Sequence, residues 1–597
     1  MNGKTLAQVN LMGGGWFNRE LKIFILFLSL ISFSNLIFSN NTFALYTPAL
    51  SASVDQTNLQ INGNQVINST NKTTEIPLNL TVNTNNKTGY TATLNSETDE
   101  TALVNNDSSN GAKINSVSTN LSLNNLPNNT WGYKFSTSSN YAPIPALSTP
   151  AQILQTTGKT NGNETNSIKI GMKLTNNLES GNYTNKLILS FVSNPYTPKA
   201  VMTKGPDFNA KLKALETATN RIEHFKKSPV APPATFVDVV NIEDEESDYE
   251  IKLWRNFIDK TAYYYAEPEK VYLNMDSNKM FYSKPDEYET KKILDMDLSN
   301  FDTSQVTSMY YMFYGMHELT SLDLSNFNTS KVTNMDLMFY DMPNLTSLNL
   351  SNFDTSKVTN MSNMFSGMRN LTSLNLSSFN TSQVTDMDGM FSGMRHLTTL
   401  NLSSFDTSKV TRMGHMFDGV FALTTLDLSN FDTSKVTSMG YMFYDMYSLT
   451  TLNLSSFDTS KVTWMWHMFF RVASLTSLDL SNFDTSQVTN MSGMFSCMSN
   501  LTTLDLSNFD TSKVTHVNDM FALNERCLSS EDKLETIYVN NDFNTANLGS
   551  PQGMFKGRKK LRGGNGSYLT YPSAADKTWL RIDDPAHGRP GYFTRKP

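Results

Sequence analysis

Charge is scarce in this 597-residue chain. Only 17% of its residues are Asp, Glu, Lys or Arg, and the net charge is −7. Nucleic acids are held by neutralising many phosphates with Lys and Arg, so a sparse and net acidic charge argues against a nucleic-acid partner. Catalytic signatures are missing too: there is no H-E-x-x-H, phosphate-loop or G-x-S-x-G pattern. No catalytic residue, resident metal or cofactor is expected. Cysteine is limited to Cys497 and Cys527. They sit close enough in sequence to meet across one turn as a disulfide, which an extracellular setting permits. Two separate buried thiols are the other reading, because sequence does not fix their geometry.

What the chain has instead is repetition. The phrase NFDTSKVT at 430–437 also stands at 352–359 and 508–515, and near copies occur six more times. Its phenylalanines, from Phe301 through Phe327 and Phe353 to Phe509, follow one another every 26 residues without insertion. A period in this range indicates a solenoid or propeller. Each unit opens like Leu319-x-x-Leu322-x-Leu324, whose alternation predicts a short strand with Leu322 and Leu324 inward. Val332, Met335, Met338, Phe339 and Met342 follow at steps of three, three, one and three, which predicts a helical or 3₁₀ return. Asp354 and Asp432 are placed to cap that return through backbone N–H groups two and three residues on. At about 4.8 Å per unit, nine units make a rod roughly 45 Å long.

Residues from about 270 to 597 resemble the BspA-like leucine-rich-repeat surface proteins of bacteria. Nine repeats of the form LTSLDLSNFDTSKVTNMSxMF carry the resemblance. The segment YYYAEPEKVYLNMDSNKMF at 263–281 is similar to that family's N-terminal cap. LRGGNGSY and RIDDPAHGRPGYFT, the latter at 581–594, are similar to its terminal segment. The resemblance implies cell-surface exposure and adhesion or partner binding, not catalysis. One departure is that Phe327 and its equivalents stand where an Asn ladder is usual, so the turns are expected to rest on a Phe spine.

The expected fold class is a β-rich multidomain chain: an N-terminal antiparallel β-sandwich, then a leucine-rich-repeat solenoid of nine units with a parallel sheet. Over 1–44, Arg19 and Lys22 precede an apolar run at 23–38 and the small Ala44. These features read as a secretory signal cleaved after Ala44 or as an uncleaved membrane anchor. In 45–197, two-residue periods such as Ile76-Leu78-Leu80-Val82 and Ile168-Ile170-Met172-Leu174 alternate with Asn/Gly-rich turns, which predicts the sandwich. The span 198–262 reads as a connector, with an amphipathic helix between 205 and 228 and a solvated acidic run at 243–250. A cap at 263–295, the repeats at 296–545 and a C-terminal cap at 546–597 complete the chain.

Positions that vary between units are free to serve partners. In two neighbouring units small polar residues give way to Tyr441, Tyr444 and Tyr447, then Trp464, Trp466, His467, Phe470 and Arg471. Phe421 and His415 continue the group, and Tyr310, Tyr311, Tyr314 and Tyr340 form a lighter one. Aromatics beside an Arg are the residue types of binding hot spots; inward-folded core rings are the alternative. His415 and His467 fall two units apart, roughly 10 Å, too far to share a metal. Asp479 and Asp505 fall near the separation of paired glycosidase carboxylates, but every strand offers similar neighbours. The basic cluster Lys556, Arg558, Lys559, Lys560 and Arg562 suits an anionic envelope polymer, or is a solvated cap edge. The expected function is a non-enzymatic adhesin, secreted or on a bacterial surface, presenting its repeats to a protein or glycan of a host, matrix or other cell. A purely structural surface-layer or stalk protein is the alternative, and a surface glycosidase a distant one.

Overall fold

A computed structural model describes residues 2–12, 25–26, 46 and 49–597, except 218, 237, 285–291, 526, 528–530 and 550. Ala44 and nearly all of the apolar run at 23–38 lie outside the described residues. Among the described residues no helix is long and apolar enough to cross a membrane. The chain is β-rich with few helices, and it divides into two compact units at Pro198/Lys199.

In the first unit nine strands are hydrogen-bonded in a non-sequential order. They run Ala151–Gln155, Tyr90–Ser96, Asn182–Ser193, Leu103–Asn105, Lys113–Ser116, Thr130–Phe135, Glu164–Lys173, Thr73–Thr84 and Leu50–Val54. Asn2–Met12 pairs antiparallel with Asn182–Ser193 and parallel with Asn58–Asn62. The alternation seen in sequence sets the packing: Leu78, Leu80, Val82, Ile168, Ile170, Met172, Leu187, Leu189 and Phe191 all join one core around Trp131. The expectation of purely antiparallel pairing is corrected at Lys113–Ser116, which runs parallel to Thr130–Phe135.

The second unit begins well before the repeats. The segment expected as a connector instead belongs to the repeat core: Ala200, Phe208, Leu212, Ile222, Phe225, Ile251, Leu253 and Tyr264 share one apolar cluster with every repeat. Helix Gly205–Ala214 stops far short of 228, because His224–Lys227 is extended and pairs in parallel with both Thr261–Tyr265 and Asp295–Met296. The helix start carries Pro206 in its first turn, a position that needs no amide donor. Nor is the acidic run simply solvated. Asp248 is 1% exposed and accepts the Lys199 N–H, and Glu243 accepts that of Ile251.

Successive units lie parallel and in register. Bridges link Asp276, Ser308, Asn334, Asn360, Asp386, Arg412, Ser438, Trp464, Asn490 and His516 in turn. The expected sheet is fragmentary, with paired strands of two or three residues such as Thr425–Asp427 with Thr451–Asn453. The return is neither helical nor 3₁₀. Leu337 (φ 54°) and Asp341 (φ 53°) are left-handed, as are their equivalents in most units, which breaks any helical run. The N–H groups of Met335, Leu337, Phe339 and Asp341 all point to the next unit, donating to Asn360, Ser362, Met364 and Ser366 at 2.8–3.1 Å. Thr333 alone among these neighbours donates backward, to Thr307 at 2.9 Å.

One ladder of side chains runs the length of the stack, and a second is interrupted by Ser378, Ser404 and Ser456. The aromatic spine is not the Phe327 series but the Phe of each Met-Phe pair. Eleven rings from Phe281 through Phe313, Phe339 and their equivalents to Phe555 stack with centroids 5.3–6.0 Å apart and planes within 12° of parallel. An Asn ladder exists one residue before the Phe expected to replace it: Asn326, Asn352, Asn430, Asn482 and Asn508 donate to carbonyls of the preceding unit. Beneath both, the Thr of every D-T-S or N-T-S triplet is buried. Thr433 donates its hydroxyl to the Asp458 carbonyl and accepts the Asp458 N–H, both at 2.8 Å.

Candidate partner-binding face

Each return exposes two left-handed positions, and residue choice there decides what the face offers. In four units the first of them holds Asn363, Gly389, Gly493 or Asp519, and in six the second holds Gly or Asp, residues that accept positive φ at little cost. Tyr311 (φ 60°) and Leu337 (54°) take the first position in two early units; from 415 to 471 it passes through three rings in a row, His415 (φ 55°), Tyr441 (58°) and His467 (55°), and Arg471 (60°) takes the second position of the last of these units. Stacking holds them there. Tyr441 lies between His415 and His467, with centroids 4.5 and 5.0 Å away and planes within 12° of parallel. A second column sets Tyr444 on Phe470 at 4.7 Å, and a third sets Tyr447 on Phe421 at 5.0 Å, with Arg395 over the Phe421 ring. Burial raises the phenol pKa values of Tyr441 and Tyr444.

The two tryptophans have different surroundings. The Trp466 indole lies across Gly440, where any Cβ would come within 2.4 Å of it, so that glycine makes room for the ring. Trp464 stands edge to face with it at 6.4 Å and is 53% exposed, the most exposed large apolar side chain among the described residues of the repeats. The residues expected to form the contact surface therefore do come together, in unequal roles. Trp464 is offered to solvent; Trp466, His467, Tyr441, Tyr444 and Tyr447 are half-buried. Phe470 is corrected to core, at 4% exposure, because Tyr444 covers it. Arg471 is committed to Asp445 at 3.0 Å.

The lighter group is a separate cluster: Tyr311 stacks with Tyr314, Tyr314 with Tyr340, and Lys279 lies over Tyr311. Between the two aromatic groups is a charged stretch that the sequence reading overlooked. Arg412 reaches Asp386 at 3.3 Å and Asp388 at 3.5 Å. Burial, with the neighbouring Asp386 charge, pushes the Asp336 carboxyl up to about 6. The signal in the sequence was the replacement of Asn and Ser by Asp and Arg at matching repeat positions.

Other candidates are reassigned. Cys497 and Cys527 are joined in a disulfide, with Cα atoms 5.1 Å apart. Arg558 is removed from the basic cluster: it is 1% exposed, pairs with Asp532 at 3.1 Å and donates Nε–H to the Phe521 carbonyl. Lys556 pairs with Glu525, and Arg562 packs over Tyr568, which leaves Lys559 and Lys560 as the exposed ammonium groups. Asp505 pairs with Lys596, and both it and Asp479 accept the N–H of the serine two residues on. All nine Asp or Asn residues at that position make this turn, so they serve the fold alike.

The repeats match a family described as "Mycoplasma protein of unknown function, DUF285", over residues 275–373, 342–451, 367–475 and 447–568. They are similar to a bacterial repeat family. The matched spans cover the aromatic face and the disulfide, and no curated protein or solved structure matches the chain.

Proposed function

We propose that the protein is a non-enzymatic binding protein of a bacterial surface, in which a leucine-rich-repeat solenoid presents the face around Trp464 to a protein or glycan of another cell or matrix. The observation that carries this reading is the run of three consecutive rings, His415, Tyr441 and His467, at a left-handed position that other units fill with Asn363, Gly389, Gly493 and Asp519. Such residues are conformationally costly where they stand, and the repeat closes without them elsewhere. In this reading the first unit is a β-sandwich spacer, and the N-terminal apolar segment directs export, cleaved after Ala44 or retained as an anchor. Lys559 and Lys560 add attraction for an anionic envelope polymer.

The test compares melting with attachment in the same variants. Trp464→Ser with Trp466→Ser should leave the melting temperature close to that of the parent while attachment to host cells or matrix falls. Loss of a central Trp contact typically costs about 2 kcal/mol or more, roughly thirtyfold in affinity. A second reading, a structural stalk, is favoured by the unbroken stack of Phe rings from one cap to the other. Parental attachment by the double variant would support the stalk.

A further inference from the structure

Trp464 does not stand alone on its column. The bridged positions that follow it are Asn490 and His516, one and two units along. The column ends at a cavity of about 340 Å³ lined by Thr515, His516, Asn518 and Asn547. At about 4.8 Å per unit, the indole and the cavity mouth are roughly 10 Å apart. The path between them is lined by uncharged donors and acceptors. Asn490 spends its Oδ1 on the Ser492 N–H, Asn518 its Oδ1 on Gln552 N–H and Asn547 its Nδ2 on the Ser512 carbonyl, each leaving the other half of its amide. On the far side of Trp464 the bridged residues are Ser438 and Arg412, and Arg412 is already held by two carboxylates.

We infer that this track is a binding site for a neutral oligosaccharide, with one sugar ring stacked on Trp464 and the next rings hydrogen-bonded along Asn490 into the His516–Asn518 cavity. The inference rests on the binding reading above and names its ligand class. A sugar ring has an apolar face of C–H groups and a rim of hydroxyls, each both donor and acceptor. It therefore needs one flat exposed ring beside amides and an imidazole, which is what the track provides. A protein partner requires about 800 Å² on each side with several exposed apolar anchors. Trp464 is the only large apolar side chain of the described repeats between 301 and 521 that is exposed. An anionic or cationic ligand would need an opposite charge on the track itself, and neither the bridged residues Trp464, Asn490 and His516 nor the residues lining the cavity include an Asp, Glu, Lys or Arg.

The experiment titrates the full chain with hexasaccharides of β-1,4-glucose, α-1,4-glucose, β-1,4-N-acetylglucosamine and α-1,6-mannose, following tryptophan fluorescence and heat. At least one should bind. Trp464→Ala should weaken it by about tenfold or more and His516→Ala by several-fold, with melting temperatures unchanged. Binding by none of the four, or binding that survives both substitutions, overturns the inference. Attachment to whole cells separates it from the broader reading. Trp464-dependent attachment lost on periodate treatment of the target cells supports a glycan. Trp464-dependent attachment that survives periodate and is lost on protease treatment keeps the binding face and overturns the saccharide. Oligosaccharide binding without any Trp464-dependent attachment keeps the track and overturns the adhesin.

Discussion

Thr433 shows how much of the stack is held by groups that look like surface residues. Its hydroxyl satisfies both backbone groups of Asp458 in the next unit, and it is 1% exposed. Thr433→Val keeps the shape and leaves a buried N–H and a buried carbonyl unpaired, which should cost about 1–3 kcal/mol. Thr433→Ser keeps both bonds and should cost about 1 kcal/mol for the lost methyl. Denaturant midpoints of the two variants check the order. The buried Thr was legible only as constancy: beside it Asp alternates with Asn and Lys with Gln, while Thr never changes in nine copies. Hydropathy hid it, because a Thr among Ser, Asn and Asp scores as loop. Asp336 makes the opposite case. Its carboxyl is raised to about 6, so the folded state resists ionising it. The ordinary value, and that of the unfolded chain, is near 4, so its destabilising effect is full above about pH 6 and disappears below about pH 4. Asp336→Asn should therefore raise stability at pH 7.5 by on the order of 1 kcal/mol, discounted for partial exposure, and bring no gain at pH 4. Thermal melts at the two pH values decide it, with Asp386 and Arg412 the charges that modulate the result.

At the scale of the return segment, apolar spacing announced what is buried but not how the backbone runs. Val332, Met335, Met338, Phe339 and Met342 are all at 0% exposure, as their spacing required. The same steps of three and one fit a helix and a chain of turns equally well, since both bring every third or fourth side chain inward. The deciding signal was the Gly, Asn or Asp recurring at the left-handed sites, at Asn363, Gly367, Gly389 and Gly393. Likewise the aromatic face was legible as a change of residue type, but the split between exposed Trp464 and covered Phe470 depends on ring contacts that spacing does not contain. His467 tests the conformational argument directly. His467→Gly removes a left-handed imidazole along with its contact to Tyr441, and relief of about 1 kcal/mol of backbone strain should offset the lost stacking. Stability should thus change by less than about 0.5 kcal/mol while attachment falls. A large drop in melting temperature would show that the ring supports the unit.

For the whole molecule, the 26-residue period specified the stack and its register, because each unit buries its Met, Phe and Leu only against its neighbours. What lay outside the period was misread. The span 198–262 lacks the repeat phrase, yet its strands prolong the same core backward through His224–Lys227 and Thr261–Tyr265. Its periodicity was too short to show this, and only long-range pairing reveals it. A repeat array should tolerate removal of one whole unit and not of half a unit. Deleting 352–377 should leave a cooperative fold with a melting temperature within several degrees of the parent, whereas deleting 352–364 should abolish the transition, as checked by circular dichroism and gel filtration.

The one-way hydrogen bonding of the returns reaches further than cohesion. In the return at 333–341 four peptide groups aim their N–H at the next unit against one that faces back, and the other returns keep an excess in the same direction. Peptide dipoles so aligned add along the axis, as they do in a helix. The stack is consequently an electrically polar rod, positive toward the end that carries Lys559 and Lys560 and negative toward the segment 200–273. Two such rods meeting end to end would attract head to tail and repel head to head, and added salt would erase the difference.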